Sequence, residues 1–145
     1  MFTYKGKFKP KNASKYRGDP TNIIFRSLWE RRVMRYFDEN VNILEWSSEE
    51  IAIPYRSPMD NQIHRYFPDF IIKTKTKSGK ISTIMIEVKP KKQTIQPEKT
   101  NKITKKYLTE VATWGVNQAK WKAAQEYCSE RLWHFKILTE DQLGL

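Results

Sequence analysis

Two strand-like segments separated by a short turn constrain the fold of this sequence more than any other feature. Residues 67–76 begin apolar and finish with alternating lysines, whereas residues 81–88 are apolar almost throughout. Ser78-Gly79 between them is a hairpin signal, and Pro90 ends the second segment because proline has no amide hydrogen to donate to a strand ladder. We therefore predict an antiparallel hairpin over residues 67–88, with its apolar ends in the core.

Helical patterns flank this hairpin on both sides. Asp19-Pro20 provides an N-cap and a first helical position, and apolar residues then recur at one-turn spacing up to Phe37. The predicted elements are helices over 20–37, 107–130 and 140–143, and strands over 41–46, 51–55, 67–76, 81–88 and 133–138. A helix, a run of strands, a second helix and a returning strand predict a three-layer α/β domain with a central mixed sheet.

The positive charge is concentrated in two blocks. The chain has a net charge of +11, of which residues 1–19 carry +5 and residues 89–106 carry +6. We expect residues 1–19 to form a flexible basic arm, because they offer little apolar surface to bury, and residues 20–145 to form one domain. Dense lysine blocks on an otherwise neutral chain favour a nucleic-acid partner over mere solubilising tails.

Several protein classes are excluded by composition. Cys128 is the only cysteine, which excludes a disulfide scaffold and a cysteine-rich zinc site and suits a reducing compartment. No apolar run approaches the ~20 residues that cross a bilayer, so we expect a soluble intracellular protein with no membrane partner.

A group of charged residues lies where the two hairpin strands meet. Asp69 follows Pro68 at the start of one strand, and Glu87 and Lys89 lie on one face at the end of the other. The hairpin brings Asp69 level with this end. Two converging carboxylates suit Mg²⁺, and a neighbouring ammonium can orient a water molecule and neutralise charge on a phosphate.

These motifs resemble those of a known superfamily, the PD-(D/E)XK nucleases. Within it, HRYFPDF (64–70) and IEVKP (86–90), after a helix containing SLWE (27–30), resemble the TnsA-like endonucleases of heteromeric transposases. Almost the whole chain, from YKGKFKPKN (4–12) to FKILTE (135–140), resembles the head completion nucleases of contractile-tailed phages. The resemblance implies a restriction-endonuclease-like core of order α-β-β-β-α-β and magnesium-dependent cleavage of DNA, with Mn²⁺ as a substitute metal.

The resemblance also implies a role for individual residues. Asp69 and Glu87 correspond to the metal-binding carboxylates, Lys89 to the catalytic lysine, and Glu30 to an acidic residue that many members add. The backbone carbonyl of Val88 often completes the metal shell in such sites. From the residues alone, a helix-surface carboxylate paired with Arg26 or Arg31 is the favoured reading of Glu30, and the hairpin charges could be ordinary surface ion pairs.

Lysines around the site are expected to contact double-stranded DNA or its ends. The candidates are Lys91, Lys92, Lys99, Lys102 and Lys120. Neither basic block has the arginine and asparagine pattern that reads bases, so we expect little sequence preference.

The resemblance further implies protein partners at the phage head or its portal vertex. It places the protein in the host cytoplasm during assembly, with retention in the virion as an option. Two alternatives stay open: a non-catalytic DNA-binding or structural protein at the vertex through which DNA enters the head, and a junction-resolving or sequence-specific nuclease, which would need a dimer. The oligomeric state and the choice between endonuclease and exonuclease also stay open.

Overall fold

A four-stranded mixed sheet forms the middle layer of the computed structural model, which describes residues 3–144. In chain order the elements are β1 (Thr3–Phe8), β2 (Ile23–Ser27), α1 (Leu28–Glu39), β3 (Ile43–Ser48), β4 (Ile53–Arg56), β5 (Ile63–Tyr66), β6 (Phe70–Lys75), β7 (Ile81–Val88), α2 (Lys105–Glu130), β8 (His134–Leu138) and α3 (Glu140–Leu143). The central sheet has the order β3-β6-β7-β8, in which only β8 runs parallel to its neighbour.

The two faces of the sheet bury separate apolar cores. On one face, Val33, Met34 and Phe37 of α1 pack against Trp46 and Phe70 of the sheet. On the opposite face, α2 packs against the sheet and the β4–β5 hairpin through its buried apolar residues Trp121, Ala124 and Cys128. This confirms the predicted three-layer α/β fold with a mixed sheet.

The predicted hairpin forms with a continuous register. Phe70 pairs with Ile86 and Lys75 pairs with Ile81, so Asp69 lies beside the end of β7. Gly79 has a φ of 84°, a left-handed conformation that glycine adopts at little cost, and its N–H donates to the carbonyl of Thr76 at 2.9 Å. The turn therefore fixes the register that brings the charged residues together.

A small second hairpin replaces one of the predicted strands of the meander. The segment predicted as a strand over 51–55 becomes β4, which pairs with β5 rather than with the central sheet. β5 occupies residues that the sequence analysis left unassigned, and β6 begins at Phe70 rather than at residue 67. Ile53, Tyr55 and Tyr66 are buried against α2, and this burial explains the separate hairpin.

The predicted arm is not confirmed within the described residues, which exclude Met1 and Phe2. β1 pairs with β2, and Tyr16 is buried in the core beside Trp46. Lys15 donates to the carbonyls of Phe37, Asp38 and Asn40 at 2.7–3.0 Å. Carbonyls at a helix C-terminus lack partners inside the helix, so this lysine anchors the N-terminal segment by satisfying them.

The predicted start of the first helix is wrong. Asp19 caps a turn by accepting from the N–H of Thr21 at 2.9 Å, and residues 23–27 are a strand in which alternate side chains are buried. α1 begins at Leu28, and the Ser27 hydroxyl caps it by accepting from the N–H of Glu30 at 3.2 Å. No helix in residues 3–144 is long and apolar enough to cross a membrane.

Candidate active site

Four chain segments converge at one end of the central sheet. They are the first turn of α1, the residue after β3, the residue before β6, and the end of β7. Because β3 and β7 both run antiparallel to β6, their last residues lie beside its first. This arrangement collects side chains that are far apart in the sequence.

Three carboxylates form a compact group at this point. One carboxylate oxygen from each of Glu30, Glu49 and Asp69 lies within 4.8 Å of the other two. Two of them, Glu30 and Asp69, were candidates from the sequence. Glu49 was missed, because the predicted strand ended at residue 46, whereas β3 extends to Ser48 and places Glu49 directly after it.

Glu49 is held in place by its backbone and by an arginine. Its φ of 54° is unusual for a residue with a side chain, and its N–H donates to the carbonyl of Asp69 at 3.1 Å. Arg26 donates to both carboxylate oxygens of Glu49, at 2.9 and 3.0 Å. The left-handed conformation thus turns the chain at the end of β3 and keeps this carboxylate beside the other two.

Asp69 is fixed by the neighbouring strand. Its Oδ2 accepts a hydrogen bond from the N–H of Val88 at 2.7 Å. Burial and the nearby Glu30 carboxylate raise the pKa of Asp69 to about 7, against the opposing effects of this hydrogen bond and of Lys89. The ionised form of this carboxylate is therefore disfavoured in the folded protein.

Glu30 is a buried residue rather than a surface carboxylate. It is 7% exposed, and its Oε2 accepts from the Ser27 hydroxyl at 3.2 Å. Burial raises its pKa, while the Ser27 hydrogen bond acts in the opposite direction. The alternative reading of Glu30 as an exposed partner of a nearby arginine is therefore wrong.

Glu87 lies beside this group, on the side of the sheet that α2 covers. It is 4% exposed and accepts a hydrogen bond from the Tyr66 hydroxyl. Burial raises the pKa of Glu87 to about 7, whereas Lys89 and Lys120 act to lower it. Glu87 is not part of the compact group of three carboxylates, although Glu30 contributes to its raised pKa.

Two lysines add positive charge to the site, besides the Arg26 that pairs with Glu49. Lys120 Nζ lies 5.8 Å and 5.7 Å from the ring centroids of Tyr55 and Tyr66, where cation–π attraction holds it. Burial and the neighbouring Lys89 lower the pKa of Lys120, while Glu87 and Asp69 raise it. The structure thus places Lys120 among the site residues, beyond its expected role as a DNA contact.

The family follows from comparison with known proteins. Residues 40–140 match the model of the TnsA-like endonuclease N-terminal domain. The chain is also 45% identical over 144 residues to the head completion nuclease of Enterobacteria phage T4, covering 97% of this chain and 93% of that relative. The chain belongs to the TnsA-like endonuclease family. This confirms the family resemblance drawn from the sequence motifs.

The family match and the site coincide. The matched segment of this TnsA-like chain contains Glu49, Asp69, Glu87 and Lys89, whereas Glu30 lies before it. The alignment with the T4 relative extends over nearly the whole chain. Apart from Glu30, the converging side chains thus lie in the part of the chain that matches the family model.

The donor set of this TnsA-like site fits a hard divalent cation. Magnesium prefers carboxylate oxygens, with water and phosphate oxygens completing its shell. Glu30 and Asp69 form no ion pair among residues 3–144, and burial raises the pKa of both carboxylates, so their ionised forms are disfavoured in the absence of a cation. A bound cation would supply the compensating charge.

The other candidate lysines lie in different surroundings. Lys91 forms an ion pair with Asp141 at 3.0 Å, and its N–H donates to Glu140. Lys92 lines a cavity next to α2, and Lys99 and Lys102 are exposed on the segment between β7 and α2. Lys91 therefore has part of its charge neutralised within the protein, and the other three remain available as backbone contacts.

Proposed function

We propose that this protein is a magnesium-dependent deoxyribonuclease that hydrolyses phosphodiester bonds of double-stranded DNA. One observation carries the proposal: the compact group of Glu30, Glu49 and Asp69 lies at the sheet end that also bears Glu87 and Lys89. Membership in an endonuclease family supports the reaction class.

Glu30 and Asp69 would hold the metal, together with Glu87 and the backbone carbonyl of Val88. Glu49 adds a carboxylate that Arg26 partly neutralises. Bound Mg²⁺, or Mn²⁺ in its place, neutralises charge on the phosphate and lowers the pKa of a water ligand.

The protein's own groups orient the reactants. Lys89 directs a water molecule toward phosphorus and donates to a non-bridging oxygen, and Lys120 adds a second positive charge on the side of α2. The Tyr66 hydroxyl holds the Glu87 carboxylate in its buried position. Water adds to phosphorus as the bond to the 3′ oxygen breaks, leaving a 3′-hydroxyl and a 5′-phosphate, the outcome that the superfamily implies.

The biological setting is proposed from the T4 relative, which is named a head completion nuclease. We propose that this chain processes DNA, including its ends, during phage head completion, with proteins of the head or portal vertex as partners. It would then act in the host cytoplasm during assembly, with retention in the virion as a second possibility. Phosphate contacts through lysines would give little sequence preference.

A cleavage assay tests the catalytic proposal. Linear double-stranded DNA is incubated with wild type, Asp69→Asn and Lys89→Ala in Mg²⁺ and in EDTA, and circular dichroism verifies folding. Asp60→Asn is the matched control, because Asp60 is an exposed aspartate paired with His64, outside the site. We expect cleavage only by wild type and Asp60→Asn, and only with metal.

Two outcomes of this assay would speak against the nuclease proposal. Wild-type rates in folded Asp69→Asn and Lys89→Ala would contradict the proposed mechanism. Binding of DNA by wild type without cleavage in Mg²⁺ would instead favour a non-catalytic DNA-binding or structural role at the vertex through which DNA enters the head.

A further inference from the structure

A cavity of about 480 Å³ is lined by residues that lie between Lys89 and Lys120 in the chain. Its walls are formed by residues 92–98, which follow the end of β7, and by the N-terminal half of α2. The residues that matter most for its chemistry are Lys92, Ile95, Glu98, Glu110, Trp114 and Asn117. Its volume falls in the range of pockets that bind small organic groups.

The wall of the cavity contains two donors without acceptors. Asn117 is 4% exposed, and its side-chain nitrogen has no hydrogen-bond partner among residues 3–144. The indole nitrogen of Trp114 is also buried and unpartnered within the same residues. Because unpartnered buried donors are costly, a small rotation of either side chain that brought its donor to a carbonyl or ring-nitrogen acceptor in the cavity would be favoured.

The remaining lining residues narrow the class of ligand. Ile95 and the Trp114 ring provide apolar and aromatic surface, which suits a flat ring. Glu98 and Glu110 repel a phosphate but can accept hydrogen bonds from exocyclic amino groups. A nucleobase has both the acceptors and the amino groups, and it stacks well on an indole.

The position of the cavity ties it to the site of cleavage. Asn117 lies about one helical turn before Lys120 on α2, and one turn rises about 5.4 Å. Lys92, at the other side of the cavity, lies three residues after Lys89. A nucleotide whose base entered the cavity would therefore have its backbone close to Lys89, Lys92 and Lys120.

We propose that this cavity binds one unpaired base of the substrate strand, next to the phosphate that is cut. A base inside a duplex is stacked and paired, so only a base in an overhang, at a frayed end or turned out of the helix can enter. This inference rests on the proposed nuclease function and adds a preference for DNA with unpaired bases.

Binding in EDTA tests the cavity without catalysis. Duplexes with a three-nucleotide 5′ or 3′ overhang carrying 2-aminopurine are compared with a blunt duplex carrying the same base. We expect wild type to bind one overhang about tenfold more tightly than the blunt duplex, a difference typical of stacking one base, and to quench its fluorescence. Equal affinities, or an unchanged fluorescence, would overturn the inference.

Two variants localise the effect. Trp114→Leu removes the stacking ring, and Ile95→Asp places a charge at a position that is 55% exposed and so leaves the core intact. We expect either change to bring the overhang-to-blunt ratio close to one, while Gln125→Ala, an exposed α2 control outside the cavity, keeps the tenfold ratio. An unchanged ratio in folded Ile95→Asp would contradict the assignment of the cavity.

Cleavage in Mg²⁺ separates this inference from the proposed function. Cleavage of both duplexes at equal rates, with equal binding, would overturn the cavity assignment and leave the nuclease proposal standing. Tight binding of the overhang without cleavage of either duplex would support the cavity assignment and contradict the nuclease proposal.

Discussion

Neutralising Asp69 should stabilise the metal-free protein while abolishing its activity. Burial and Glu30 raise the pKa of Asp69 to about 7 from the usual 3.8. Asparagine has nearly the same shape, and its carbonyl oxygen can accept the hydrogen bond that the Val88 N–H donates at 2.7 Å. The substitution removes the buried charge and its repulsion by Glu30, and it keeps the hydrogen bond.

The size of the effect follows from the pKa difference. Between pH 3.8 and 7 the folded protein binds a proton that the unfolded chain has lost, so wild-type stability falls as pH rises, by about 1.4 kcal/mol per pH unit. At pH 8 this pKa difference corresponds to a gain of about 4 kcal/mol in the free energy of unfolding of Asp69→Asn over wild type. Because Asp69 is partly exposed, we expect solvent screening to reduce the gain to about 2 kcal/mol. That corresponds to a melting temperature about 4–8 °C higher for Asp69→Asn.

Urea and thermal unfolding in EDTA at pH 4, 6 and 8 measure this effect. We expect Asp69→Asn and wild type to have the same free energy of unfolding at pH 4. Toward pH 8 the variant should become progressively more stable than wild type. Asp60→Asn should show no such gain, because hydrogen bonds from Gln62 and His64 lower the pKa of Asp60. A variant less stable than wild type at pH 8 would refute the conclusion that burial and Glu30 destabilise the ionised Asp69 carboxylate.

Three further predictions concern other residues. Lys120→Gln should lower the cleavage rate by about 100-fold at saturating Mg²⁺. Lys122→Gln is the control and should keep the wild-type rate, because Lys122 is exposed on α2. Comparable rates for the two variants would argue against a role for Lys120. Glu49→Gln should raise the Mg²⁺ concentration for half-maximal cleavage by about 10–100-fold, and an unchanged metal titration would remove Glu49 from the site. Lys15→Ala should lower the free energy of unfolding by about 1–3 kcal/mol in urea, because it removes the Lys15 bond to the Phe37 carbonyl and one of the two donors to each of the Asp38 and Asn40 carbonyls. An unchanged unfolding midpoint would show that this contact is not stabilising.

Local sequence patterns predicted the β6–β7 hairpin of the central sheet well. β7 occupies the predicted residues 81–88, and the hairpin forms with the turn at Ser78-Gly79. Period-two alternation and a turn signal are local properties, so the sequence shows them directly. The N-terminal strands were not predictable in this way, because β1 becomes ordered by pairing with β2 and by the anchoring of Lys15 on α1.

The candidate site was predictable only in part, for the same reason. Asp69, Glu87 and Lys89 lie on one hairpin, and its register alone brings them together. Glu49 joins them through the pairing of β3 with β6 and through a left-handed backbone conformation. Lys120 reaches the site from the face of α2 that packs on Tyr55 and Tyr66. Neither contact can be derived from residue spacing.

The central claim is that the buried carboxylates and the lysines form one metal-dependent centre that cuts DNA. Its most direct test is the cleavage rate of linear duplex DNA as a function of Mg²⁺ concentration, for wild type and Glu30→Gln. We expect no cleavage in EDTA, saturation with Mg²⁺ for wild type, and at least a 100-fold lower rate for the variant, in line with the loss of a group that acts in the transition state. Cleavage by wild type in EDTA, or a wild-type rate in folded Glu30→Gln, would contradict the claim.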